Sequence, residues 1–132
     1  MSTPPTLPQR KGLTKFITGF SFAFSGLWYA IRTQLNMKVH ITIAIIAIAL
    51  GIVLHISAIE FALIFVAIAG VLVAEMFNTV IELCVDLVSP SYHPLAKTAK
   101  DVAAGAVLLS AIMAIIIALF VLGPHLWAFL HL

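Results

Sequence analysis

Charge is what this sequence has least of. Seven Lys or Arg and five Asp or Glu make up 9% of 132 residues, against 63% hydrophobic, where a soluble domain averages about 25% charged. That scarcity excludes an ordinary water-soluble globule, and the length excludes a large multidomain machine. A formal net charge of +2, with aromatics that are mostly Phe, excludes the basic and aromatic groove of a nucleic-acid binder. The single cysteine, Cys84, excludes an internal disulfide and any Cys-based metal site. No GxxxxGK[ST] or GxGxxG loop is present, so nucleotide chemistry here owes nothing to the soluble phosphate-binding folds. No cleaved signal peptide is expected, because the first long apolar stretch follows nearly forty residues that offer no small-residue cleavage site.

The long uncharged runs are what remains. Residues 39–59, 61–74 and 102–132 carry no formal charge, and apolar runs of about 20 residues are transmembrane helix candidates, since hydrocarbon offers backbone groups no other partner. The fold class predicted is an all-α integral membrane protein. It has three spans, about 39–56, 59–88 and 97–122, and an amphipathic surface helix over 12–32 rich in Phe and Trp. A short fourth span over that last stretch is the alternative. Residues 1–11, with three prolines in the first nine, are read as a disordered tail, and 12–132 as one domain. The basic residues before position 39 and the pair Lys97 and Lys100 both belong on the cytoplasmic side. Three spans satisfy both, with the N-terminus inside and the chargeless tail from Gly123 to Leu132 outside.

The middle span carries the chemistry. Its clean apolar part, 61–74, is roughly 21 Å of helix and short of the roughly 30 Å hydrocarbon core, so crossing requires Glu75 to enter the membrane. Glu75, Asn78, Glu82 and Asp86 fall at roughly 0°, −60°, −20° and +20° around a helix, on one face. With Glu60 at the outer boundary, Glu75 lies about 22 Å in, Glu82 about 33 Å and Asp86 about 39 Å. A line of acids running from lipid to cytosol suits chemistry between a lipid and a charged soluble substrate. Asn78 alone reads equally well as a contact between helices.

Across the turn 89–94, with its two prolines, come Lys97, Lys100 and Asp101. Lysines in a helix's first turns oppose its dipole. Beside backbone amides and opposite carboxylates they make a pocket for phosphate and magnesium. Lys97 also reads as a topology signal. His93, in the same turn, is a candidate nucleotide contact, and the other four histidines read as interfacial or structural.

The stretch from Glu75 to Asp86, together with His93-Pro-Leu-Ala-Lys-Thr-Ala-Lys100-Asp101 at matched spacing, resembles the two motifs of the small bacterial integral-membrane lipid kinases, the diacylglycerol and undecaprenol kinase family. The resemblance covers about residues 10–122. It implies a homotrimer in the bacterial inner membrane with active sites at subunit boundaries, ATP and a membrane lipid alcohol as substrates, and Mg²⁺ as cofactor. By resemblance, Glu75 is the general base on the lipid hydroxyl and Glu82 a magnesium ligand. Lys100, Asp101, Tyr92, His93 and Lys15 are ATP contacts, and Asn78 and Asp86 are supporting polar groups. The family's second acidic metal ligand falls at Gln34, where a neutral amide removes one negative charge from the implied metal and ATP site. The pattern Asn36 to His40 and the run His93 to Lys97 look more like the undecaprenol kinase branch. Two rivals to an active lipid kinase are a small cation- or proton-coupled transporter built on Glu75, and an impaired kinase-like structural subunit.

Overall fold

The computed structural model describes residues 12–131, and the tail expected over 1–11 lies outside the described residues. Four helices follow one another: α1 Gly12–Thr33, α2 Leu35–Val53, α3 Ala58–Val88 and α4 Pro94–Leu130, with no strand among the described residues. α2, α3 and α4 are each long and apolar enough to cross a membrane, whereas α1 is not among them. α3 packs most extensively on α4, α2 lies on α3, and α2 barely touches α4. Most large apolar side chains remain exposed on the protomer, as expected where the solvent is hydrocarbon.

Capping chemistry sets the helix boundaries, and two of them differ from the sequence expectation. α2 begins at Leu35, four residues before the expected Val39. Gln34 alone interrupts the helix, extended at φ −93° and ψ 120°, and its side chain caps nothing. Asn36 and Lys38 therefore sit in a helical turn rather than a connecting loop. α2 stops at Val53 where Ile56 N–H donates to the Gly51 carbonyl and His55 N–H to that of Ile52. This is the pairing of a Schellman stop, with His55 in the left-handed region at φ 53°.

Ser57 opens α3 with a reciprocal cap: its hydroxyl accepts from Glu60 N–H, and the Glu60 carboxylate accepts from Ser57 N–H at 2.7 Å. At 31 residues α3 is roughly 46 Å long. It spans a hydrocarbon core of roughly 30 Å with several turns to spare.

The second difference concerns α4. The expected tail from Gly123 is helical as far as Leu130, with Pro124 inside the helix. Proline removes one backbone donor, a loss that transmembrane helices tolerate. Just beyond it, His125 Nε2 lies 2.9 Å from Glu60 Oε1, which ties the extension to the start of α3. The main core cluster lies at this turn end of the bundle: Leu54, Ile56, Ile64, Val121 and Leu122, flanked by Phe61 and Ile117. The opposite end, at the α3–α4 loop, carries the polar residues.

Candidate active site

One face of α3 runs from the core to the loop end, and its polar residues emerge gradually. Glu75 is 1% exposed, Asn78 5% and Thr79 4%. Glu82 is half-buried and Asp86 exposed. The stripe expected from the spacing is therefore one surface, graded from a sealed carboxylate to an open one. Asn36 and His40 of α2, with Glu82, are the polar groups that bear on the Glu75 carboxyl. They are part of the site that sequence reasoning missed. Thr79 is another, its hydroxyl donating to the Glu75 carbonyl at 3.0 Å. The signal was the i, i+4 spacing of Asn36 and His40, hidden by placing the start of α2 too late.

The site is incompletely satisfied. Asn78 Nδ2 donates to Glu82 Oε1 at 3.2 Å, yet Asn78 Oδ1 and Glu75 Oε2 are buried without a hydrogen-bond partner. Orphaned buried oxygens are costly and uncommon, and these two lie one helical turn apart on α3.

At the loop end the charges form two exposed pairs. Lys100 Nζ donates to Asp86 Oδ1 across the α3–α4 loop, and Lys97 Nζ donates to Asp101 Oδ2 within α4, each at 2.5 Å. Exposed pairs contribute about 0–1 kcal/mol, so exchange for an incoming phosphate costs little. His93 caps α4, with Nδ1 accepting from Leu95 N–H and Pro94 at the first helical position. An open cleft of about 260 Å³ is lined by Asp86, Tyr92, His93, Lys97 and Lys100, among others. Four of the expected ATP and supporting residues thus share one cleft.

Lys15 and Gln34 are not brought into it. Lys15 lies on an exposed face of α1 beside Phe16 and Phe20, and no hydrogen bond or ion pair joins either residue to the α3 stripe among the described residues. No cluster of three or more His, Cys, Asp or Glu suited to a metal occurs among the described residues. The oxygens on the stripe, the Glu82 carboxylate and Asn78 Oδ1, are hard donors of the kind that oxygen-liganded divalent cations take.

Residues 21–122 match the family model described as prokaryotic diacylglycerol kinase. The chain belongs to that family. It is 40% identical to an undecaprenol kinase of Bacillus subtilis over 89% of its own length and 96% of the relative's. It is 42% identical to a diacylglycerol kinase of Synechocystis over 83% of its length, spanning 63% of that longer protein. With a diacylglycerol kinase of Escherichia coli it shares 28% identity over 86% of its length and 93% of the relative's. The chain is thus a lipid kinase of multi-pass membrane architecture, an enzyme class that draws its phosphoryl group from ATP. The transporter and impaired-subunit readings are not favoured by these matches.

Proposed function

We propose that this chain moves the γ-phosphoryl group of ATP onto the primary hydroxyl of a membrane lipid alcohol, undecaprenol or diacylglycerol, at the cytoplasmic face. The observation that carries this reading is the graded α3 stripe: a sealed carboxylate with an unpartnered oxygen on the helix face that continues through Asn78 and Glu82 to Asp86, which lines a cleft with two lysines. Glu75 Oε2 accepts the hydroxyl proton as the lipid oxygen attacks phosphorus. The α2 residues Asn36 and His40 orient that carboxyl. Lys100, leaving Asp86, and Lys97, leaving Asp101, meet the ATP phosphates, with Tyr92, His93 and Asp101 beside the nucleotide. Phosphoryl transfer depends mainly on alignment and on neutralising oxyanion charge.

Glu82 and Gln34 would hold Mg²⁺ brought in with ATP. Bound there, the ion neutralises charge on the phosphate oxygens. Asn78 and Asp86 support these groups. The basic residues at the loop end favour an N-terminus in the cytosol and a C-terminus outside. Assembly as a homotrimer would give Lys15 and Gln34 partners that one protomer does not supply.

The test is transfer from labelled ATP by the protein in vesicles containing either lipid. Transfer to at least one lipid, lost in Glu75→Gln, is expected. No transfer to either, or full activity in Glu75→Gln, overturns the reading.

A further inference from the structure

The fold continues past the stretch that the family match covers. Residues 21–122 carry that match, yet α4 runs on to Leu130 and is fastened on the way. His125 Nε2 and Glu60 Oε1 lie 2.9 Å apart, both side chains half-buried. The Glu60 carboxylate is itself held, accepting from Ser57 N–H at 2.7 Å. His125 stands on the inward side of α4, four and three residues after Val121 and Leu122 of the core cluster.

The outward side of α4 is one apolar strip. Leu109, Met113, Ile116, Phe120, Trp127 and Leu130 follow at spacings of four, three, four, seven and three, within an arc of roughly 100°. All six are exposed. The first four are the surface that a span offers to hydrocarbon, and the last two lie beyond it. From Val102 to Val121 α4 covers roughly 30 Å, the whole hydrocarbon core. Trp127 and Leu130 then stand roughly 3 and 8 Å past the level of His125 and Glu60, within a headgroup layer about 5–8 Å deep.

Water would solvate this tip poorly. Trp127 is 67% exposed and Leu130 68%, and no Asp, Glu, Lys or Arg follows Asp101. The indole is also held in place: the His131 ring stacks on it at 3.9 Å between centroids, and His131 Nδ1 donates to the Trp127 carbonyl at 2.9 Å. Its N–H has no partner among the described residues. A fixed apolar ring with one free donor suits the lipid interface, where ester and phosphate oxygens accept.

We infer that the α4 segment beyond Leu122 is a membrane-interface anchor, clasped to α3 by His125 and Glu60 and seated in the lipid headgroups at the turn end by Trp127 and Leu130. The strip is continuous with the lipid-facing side of the span, which makes the bilayer its occupant. The inference stands apart from the kinase reading, since it uses neither the α3 stripe nor the loop-end cleft.

The test uses the full chain carrying Trp28→Phe, so that Trp127 is the one tryptophan left, in phosphatidylcholine nanodiscs, both faces of which are open to solutes. Most of the Trp127 emission should be lost to a lipid brominated near the glycerol, and little to a lipid brominated at the chain end or to acrylamide in the water. Loss to acrylamide alone puts the tip in water, resistance to all three puts it under a second copy, and greatest loss to the chain-end bromine puts it in hydrocarbon. Each of these overturns the anchor. Adding His125→Ala should free the segment and raise the loss to acrylamide several-fold, and an unchanged loss overturns the clasp. If Trp28→Phe does not fold, the same profile is read as the difference between wild type and Trp127→Phe.

Discussion

The two ends of this bundle are built to opposite specifications. At the turn end polar groups are paired: Ser57 and Glu60 cap each other, Glu60 also meets His125 from the far end of α4, and Gly51 and Ile52 carbonyls close the α2 stop. The main apolar cluster packs behind them. At the loop end Glu75 and Asn78 are buried with unpartnered oxygens, and the cations are held only by exposed pairs. One end is arranged to persist and the other to receive. Stability and activity should therefore respond separately to substitutions at the two ends, and a substitution that moves both would break the contrast.

The largest separation should come at Glu75. Removing a general base costs about 10²–10⁴-fold in rate, while Glu75→Gln keeps the shape and removes a buried carboxyl oxygen that has no partner. Activity should collapse with the thermal midpoint in detergent unchanged or higher, because an unsatisfied buried charge is a cost to the fold. A large fall in the midpoint would show that Glu75 is structural instead.

Lys100→Ala comes next. Its pair with Asp86 is exposed on both sides, 38% and 64%, so stability should change by no more than about 1 kcal/mol. Hydrogen bonds to charged groups are worth about 1.5–3 kcal/mol, so kcat/KM for ATP should fall by about ten- to a hundredfold. An unchanged KM for ATP would take Lys100 out of the nucleotide site.

Gly51→Ala probes the opposite end. An added Cβ would lie 2.9 Å from Ile56 Cδ1 and 3.0 Å from the Phe61 ring, both in or against the packed cluster. Alanine gains helix propensity but overpacks this contact, for a net loss of about 1 kcal/mol. Chemical denaturation in micelles should show that loss, with kcat at low temperature equal to wild type.

The same contrast explains what was legible in the sequence. The stripe from Glu75 to Asp86 and the three spans could be read because helical periodicity and membrane thickness are local rules, and in a chain this poor in charge each carboxylate stands out. Asn36 and His40 could not be assigned to Glu75, since that depends on how α2 packs against α3. The continuation of α4 through Pro124 was hidden for a similar reason: proline is a stop signal in sequence, and the partner that anchors His125 is 65 residues away. The pairing of Lys100 with Asp86 also depends on tertiary geometry, whereas Lys97 and Asp101 are one helical turn apart on α4. The charges themselves were all visible.

The smallest effect should come from His55, and it sharpens the contrast because it improves one end alone. His55 holds φ 53° in the Schellman stop of α2, and its side chain is exposed, with no hydrogen bond or ion pair among the described residues. A non-glycine residue in that region costs roughly 1–2 kcal/mol, and glycine gives part of this back through its greater freedom in the unfolded chain. His55→Gly should therefore stabilise by about 0.5 kcal/mol, seen as a small rise in the denaturation midpoint, with kcat and both KM values unchanged. A change in lipid KM would mean that the turn end communicates with the site around Glu75, and the two ends would no longer be independent.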